Sequence, residues 1–233
     1  MRKICVILAV LVIVGTAQAQ HRIGLVGVLH FADVRLVKVG EDRFESDFSG
    51  RTLFGLGGVL DLTLAKNISL RIEPMYLQKG GNLEDDPEFF GSFRIKEAYF
   101  EVPLLLKAAL RSRSIQPYLL GGPTVGLLLS SKGDFDLPSD FGGGHIEVDT
   151  QDLNKSVNFG FAIGGGITIP LGHNAVFIEG RYVHSLSNVA EQGHISVQIS
   201  DEITEQIIVF EEDDWRYRGV QILVGITFPF GEQ

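Results

Sequence analysis

The segment around Tyr99 to Lys107 alternates between two kinds of residue with a period of two. One parity is apolar throughout: Ala98, Phe100, Val102, Leu104, Leu106 and Ala108. The other parity carries the charges of Glu101 and Lys107. This period predicts a β-strand with two different faces. In a soluble sheet the apolar face would pack on a core, whereas in an outer-membrane barrel it would face lipid and the charges would face the lumen.

The same alternation recurs along the chain and predicts eight strands with no helix between them. The strands are predicted at residues 22–36, 51–65, 68–79, 93–109, 115–130, 156–170, 175–186 and 215–230. The connections alternate between long and short, and the short ones follow strands two, four and six. Outer-membrane barrels show this alternation, with short periplasmic turns and long external loops. The sequence therefore predicts an all-β fold, an eight-stranded antiparallel up-and-down transmembrane β-barrel.

A soluble, lipocalin-like lipid carrier is the alternative fold, because it also has eight antiparallel strands. Strand six argues against it. The small and polar parity, which includes Asn158 and Gly160, would then face water. The bulky parity, which includes Phe159 and Phe161, would overfill the lumen of an eight-stranded barrel. The pattern therefore favours the membrane barrel.

The first twenty residues have the three parts of a secretory signal peptide. A charged start, Met1–Lys3, precedes an apolar run, Ile4–Val14, and the small residues Ala17 and Ala19. We therefore expect residues 1–20 to be a signal peptide and residues 21–233 to form the barrel domain. The single cysteine, Cys5, lies in the predicted signal peptide, so the barrel domain has no thiol ligand for a metal.

Charged residues on the predicted inward faces include both acids and bases. They are Asp61, Arg71, Glu73, Glu101, Lys107, Glu179 and Arg181. A pair of catalytic carboxylates is one interpretation. The mixture of signs favours ion pairing, because charges in a closed lumen need partners. Eight strands leave an interior only wide enough for side chains, so we expect a plugged, ion-paired lumen and no general diffusion pore.

A membrane-embedded lipid-modifying enzyme is the alternative function, and it would need a serine, a histidine and an acid near the rim. His184 and Ser185 are adjacent on one strand, so they point to opposite faces. His30, His145 and His194 lack the spacing of metal ligands. We therefore expect no enzymatic activity, no cofactor and no metal site.

The predicted external loops are acidic at 84–86, 134–136 and 211–214, without the ligand spacing of a calcium loop. The simpler interpretation of these acidic stretches is a solvated outer surface, and we prefer it to a calcium site. The chain has 29 acidic against 20 basic residues, which argues against a nucleic-acid partner. The expected partners are outer-membrane lipid and lipopolysaccharide, and an unknown protein or ligand at the external loops. The role expected in the envelope is structural or partner-binding.

Aromatic girdles are expected at both membrane interfaces. Tyr76, Trp215 and Tyr217 are predicted at the external interface, and Phe228 and Phe230 at the periplasmic one.

Two irregular features accompany the strands. Pro74, Pro103 and Pro123 lie inside predicted strands, where we expect bulges or rim positions because proline lacks an N–H. The last long connection has its own alternation, from Ile195 to Val209, which predicts a β-hairpin that extends strands seven and eight.

Several motifs carry a family resemblance. They are Glu73–Gly80, Tyr99–Lys107, Pro117-Tyr118, Gly121–Pro123, Glu179–Tyr182 and Leu186–Asn188. Together they resemble the PorT-type outer-membrane β-barrel family, over nearly all of the barrel domain. The resemblance implies an eight-stranded barrel in the outer membrane of a Bacteroidetes-like bacterium, and it supplies no catalytic residue. The terminal phenylalanine, Phe230, also resembles the signal read by the barrel-assembly machinery, which is therefore an expected partner during biogenesis.

Overall fold

The computed structural model describes residues 21–37, 51–83, 92–110, 112, 114–137, 144–151, 154–187, 194–197, 206–209 and 214–230. No helix within these ranges is long and apolar enough to cross a membrane. The strands are β1 (His21–Val37), β2 (Arg51–Ala65), β3 (Ile68–Ile72), β4 (Met75–Leu83), β5 (Ser92–Ala109), β6 (Gln116–Leu137), β7 (Gly144–Asp149), β8 (Val157–Leu171), β9 (Asn174–Ser185), β10 (His194–Val197), β11 (Gln206–Val209) and β12 (Asp214–Phe230).

The strands close into a ring in which neighbours are antiparallel. β1 pairs with β2, and β3 and β4 together follow as one position of the ring. The ring continues through β5, β6, β8, β9 and β12. It closes where β12 returns to β1, from His21 opposite Phe230 to Val37 opposite Asp214. The predicted all-β, eight-position, up-and-down barrel is confirmed.

The third predicted strand, residues 68–79, is interrupted. It consists of β3 and β4, with a break at Glu73 and Pro74. Both pieces keep the same neighbours, β2 and β5, and the hydrogen bonds at the break go to those two strands. The Gly58 N–H donates to the Pro74 carbonyl at 2.9 Å. The Glu73 N–H donates to the Pro103 carbonyl at 3.2 Å. The ring therefore stays closed across the break.

The other two strand prolines do not behave as expected. Pro103 lies opposite Thr124, and Pro123 lies opposite Phe161, without a register shift at either position. The prediction of bulges or rim positions there is wrong. In an antiparallel ladder the N–H of each residue points to one neighbour only, so a proline removes one hydrogen bond and leaves the register intact. The registers shift instead at Thr63/Ala65 and Ala98/Tyr99.

Two hairpins extend beyond the predicted strands. β6 continues to Leu137 and pairs with β7, and β10 pairs with β11. The hairpin predicted in the last connection is therefore confirmed, with Ile195 opposite Ile208. Within the described residues, β10 and β11 form a sheet of their own, so this hairpin is not a hydrogen-bonded extension of the neighbouring barrel strands.

The outward face of the ring carries an exposed apolar band. Leu25, Leu56, Leu119, Ile163 and Val224 are between 52% and 72% exposed, although they lie within strands of the ring. Residues of the opposite parity are buried, as on β1, where Leu25 lies outside and Val26 and Val28 lie inside. An apolar outside around a partly polar inside is the arrangement of a transmembrane barrel. The alternative of a soluble lipid carrier is therefore wrong.

The charged lumen as candidate functional site

Arg71 is the centre of the charge arrangement in the lumen. It lies on β3 directly opposite Asp61 on β2, because the turn at Lys66 and Asn67 fixes their register. Its Nε and Nη2 donate to the two Asp61 carboxylate oxygens, each at 2.7 Å. Its Nη1 donates to Glu179 Oε2 at 3.0 Å. A bidentate guanidinium–carboxylate pair of this kind has fixed geometry as well as charge.

A second pair crosses the whole lumen. β3 and β9 stand on opposite sides of the ring, and Arg181 Nη2 on β9 donates to Glu73 Oε2 beside β3. Arg181 Nε also lies 2.9 Å from Glu179 Oε1. Side chains from opposite walls are therefore bonded to each other across the lumen.

Lys107 completes the arrangement from β5. Its Nζ donates to Asp61 Oδ2 at 3.2 Å. We call the lower network the six residues Asp61, Arg71, Glu73, Lys107, Glu179 and Arg181. It contains three cations and three carboxylates, each at most 7% exposed. Because each buried charge has an opposite partner, the network offsets the cost of removing these groups from water.

Aromatic rings that the sequence prediction missed support the lower network. The Arg71 guanidinium lies 4.6 Å from the Phe177 ring centre, and the Lys107 ammonium lies 4.3 Å from that of Tyr118. The Tyr118 hydroxyl donates to Glu179 Oε2 at 2.8 Å. Phe177 shares its parity with Glu179 and Arg181 in the sequence, so its inward position was readable, whereas the position of Tyr118 was blurred by the neighbouring glycines.

Glu101 lies outside the lower network. It pairs with Lys79, whose Nζ is 2.5 Å from Glu101 Oε2. In the β-ladder Glu101 lies opposite Met75, whereas Arg71 lies opposite Leu105, four residues further along β5. That offset corresponds to about 13 Å. Glu101 therefore cannot join Arg71 and Lys107 along one wall.

A second set of polar side chains surrounds this pair. We call the upper network the residues Lys79, Glu97, Tyr99, Glu101 and Tyr217. The Tyr217 hydroxyl donates to Glu97 Oε2 at 2.6 Å, and Ser131 Oγ donates to Glu97 Oε1 at 3.2 Å. The Lys79 ammonium lies 4.8 Å from the Tyr99 ring centre. This network is again built from opposite charges and donors that converge inside the ring.

On the wall formed by β4, apolar side chains lie between the two networks. Along β4 the inward residues Met75 and Leu77 separate Glu73 from Lys79. They belong to a buried cluster with side chains from four other strands: Val26, Val28, Val59, Phe177 and Leu223. Inside the ring the described side chains therefore include a lower network, an upper network and a buried apolar cluster.

The predicted interface aromatics divide into three groups. Tyr76, Phe228 and Phe230 point outward and are 40–44% exposed. Tyr217 is 5% exposed and points inward, so its assignment to the lipid-facing girdle is corrected. The reason is parity, because Tyr217 shares the inward face with Gln221 and Leu223. The backbone of Trp215 belongs to β12, but its side chain lies outside the described side chains.

The residues considered for catalysis do not converge. Ser185 Oγ points inward and donates to Asn158 Oδ1 at 2.8 Å, whereas His184 stacks on the outward Tyr182 ring with 6.4 Å between centroids. Across the described ranges, no three His, Cys, Asp or Glu side chains are grouped as metal ligands would be. The acidic stretch 84–86 and residues 211–213 lie outside the described residues, as do residues 1–20.

A closed antiparallel ring with an apolar outside and ion-paired inside defines an outer-membrane β-barrel. The chain belongs to the outer membrane protein beta-barrel domain family, whose model matches residues 16–191. The protein is therefore located in the outer membrane. No curated protein sequence matches the chain.

Several solved barrels have a similar fold at low sequence identity. The outer membrane protein AlkL, determined in lipid bilayers, is 14% identical with a TM-score of 0.47, and the match covers 94% of this chain and 93% of AlkL. OprG from Pseudomonas aeruginosa is 13% identical with a TM-score of 0.46, covering 94% and 99%. Neisserial surface protein A is 12% identical with a TM-score of 0.44, covering 92% and 100%.

Replacing Tyr118 with phenylalanine tests the aromatic support of the lower network. The change removes one hydrogen bond to a charged acceptor and keeps the ring over Lys107. We expect the free energy of unfolding to fall by about 1.5 kcal/mol, the lower end for such bonds, because Glu179 Oε2 keeps its bond from Arg71. Urea unfolding in lipid vesicles measures it. An unchanged midpoint would show that the hydroxyl contributes nothing.

Proposed function

We propose that the protein is a plugged outer-membrane barrel whose role in the envelope is structural or partner-binding. The observation that carries the proposal is the pairing of Arg181 with Glu73 across the full width of the lumen. A conducting barrel needs a continuous aqueous path, and two paired networks with a buried apolar cluster packed beside them oppose one. The function of such a protein then depends on its outer surface and its external loops.

The external end supports a partner-binding role. The strands β4, β5 and β6 continue beyond the apolar band, and the hairpins β6–β7 and β10–β11 lie in connections that outer-membrane barrels place outside the cell. Loops held on a rigid scaffold are where binding residues concentrate. The proposed partners are lipopolysaccharide and an unknown protein or ligand at these loops. The barrel-assembly machinery would act during biogenesis.

Three finer points complete the proposal. Membership of the narrower PorT-type group is supported by the motif at Tyr99–Lys107. A signal peptide at residues 1–20 is supported by its charged, apolar and small-residue parts. A non-enzymatic role is supported by the opposite orientation of His184 and Ser185.

Single-channel recording in a planar bilayer tests the proposal. We expect the wild-type protein to show no large, steady conductance. Arg181→Ala removes the bridge to Glu73 and should produce openings that the wild type lacks. The control is Lys66→Met, which removes a charge from an exposed turn outside the lumen. Steady, porin-like conductance from the wild type would show that the lumen is open and the proposal wrong.

A further inference from the structure

The lumen is not filled to its periplasmic end. A cavity of about 350 Å³ opens among the short turns, which outer-membrane barrels place on the periplasmic side. We call this cavity the vestibule. Its lining includes Arg22, Asp61, Arg71, Lys107, His173 and Phe177. Arg71 lies against Phe177 there and belongs to the lower network, so the vestibule ends where that network begins.

The vestibule has more positive than negative charge on its walls. It is lined by three cations, Arg22, Arg71 and Lys107, and by one carboxylate, Asp61. That carboxylate already accepts three hydrogen bonds, two from Arg71 and one from Lys107. Since the lower network is neutral by itself, the half-buried Arg22 leaves one positive charge in excess.

Lys107 has unused hydrogen-bond donors. Its side chain is 9% exposed, and among the described residues its one hydrogen bond goes to Asp61. An ammonium group carries three N–H donors. The Tyr118 ring covers one side of the group, at 4.3 Å from its centre. A buried ammonium with unused donors on the wall of a cavity is a favourable position for an acceptor oxygen.

Arg22 is held at the opening of the same cavity. Its Nε donates to Thr227 Oγ1 at 3.0 Å, and its Nη2 donates to the carbonyl oxygens of His173 and Thr227, each at 3.1 Å. These bonds anchor the guanidinium to β12 and to the turn after β8. They are bonds to neutral groups. The carboxylate that acts on the charge of Arg22 is Asp61, opposite it in the ladder, and Asp61 already accepts hydrogen bonds from Arg71 and Lys107.

We propose that the vestibule is a binding site for a small oxyanion, a phosphate or carboxylate group, held by Lys107 and Arg22. Oxyanions supply several acceptor oxygens and a negative charge, which match the unused donors and the excess positive charge. The cavity lies at the small end of the range for ligand pockets, so it admits one such group and not a large molecule. The group arrives from the periplasm, as a free anion or as the end of a larger molecule.

Isothermal titration calorimetry on the full chain in detergent, at low ionic strength, tests this site. The probes are inorganic phosphate, N-acetyl-dialanine with a free carboxylate, and the same dipeptide with its carboxylate amidated. We expect one equivalent of an anionic probe to bind and the amide not to bind. Binding of phosphate alone identifies a free anion as the ligand, and tighter binding of the dipeptide identifies the end of a larger molecule.

Variants locate the binding. Lys107→Met and Arg22→Gln should each weaken the binding of the anion by about tenfold, because each variant loses one charge-assisted contact. Lys66→Met removes a charge at the same end outside the vestibule and should bind like the wild type. Arg22 lies at the opening and not in the lower network, so its variant folds even if the Lys107 variant does not. Absent binding, an equal loss in Lys66→Met, or unchanged affinity in Arg22→Gln would overturn the proposal.

Discussion

Replacement of Arg71 with methionine should lower the free energy of unfolding by about 3–5 kcal/mol, the cost of removing one partner of a buried ion pair. Arg71 bonds both oxygens of Asp61 and one oxygen of Glu179, and it lies 3.5 Å from Glu73. Methionine is long and apolar, so the change removes the charge with little loss of volume. Three carboxylates then share the two remaining cations.

Reversible urea unfolding in lipid vesicles measures this cost. Lys66→Met is the matched control, because it makes the same kind of change at an exposed turn and should alter stability by less than about 0.5 kcal/mol. The barrel should still form, since its backbone ladder is closed. A loss of less than about 1 kcal/mol in Arg71→Met would mean that the carboxylates are not held by this guanidinium.

A charged residue on the lipid-facing band should lower the free energy of unfolding, and the loss should be larger the deeper the residue lies in the membrane. Val224 lies near the middle of the outward apolar run of β12 and is 52% exposed. Val224→Arg should cost about 2–4 kcal/mol, the value for arginine at the middle of a bilayer.

Val220 supplies the control for that depth effect. It lies on the same strand and face, four residues closer to the external end, next to Arg218. Val220→Arg should cost only about 0–1 kcal/mol, the value near an interface. Urea unfolding of both variants in vesicles compares the two depths. Equal costs at the two positions would contradict the placement of the apolar band in the membrane.

Most of the barrel could be predicted from the sequence, because strand parity is a local property. The outward run of β12 and the inward charges of β9 follow from counting every second residue. An irregularity was expected at Pro74, but its form could not be predicted, because it depends on the neighbours that bond its flanking groups. The Pro74 carbonyl accepts from Gly58, a residue sixteen positions earlier on the adjacent strand.

The candidate site was predictable in part. Parity showed which charges face inward, but it does not give heights or partners across the ring. Arg181 contacts Glu73 because the diameter of the ring lets the two side chains meet. Glu101 contacts Lys79 because of the relative offset of their strands. Tyr217 shows a different failure. Its parity with Gln221 indicates an inward side chain, whereas the expected aromatic girdle would place it on the lipid-facing side.

Closure of the sheet determines where another polypeptide could add a strand. The strands of the ring are bonded on both sides, so their membrane part offers no unsatisfied backbone edge to a neighbour; they are β1–β6, β8, β9 and β12. Among the described residues, strands bonded on one side only are β7, β10 and β11, which belong to the long connections β6–β8 and β9–β12. For the part of the chain that the structure describes, we therefore expect strand exchange and edge-to-edge aggregation at these long connections, whereas the ring strands meet neighbouring proteins through side chains alone.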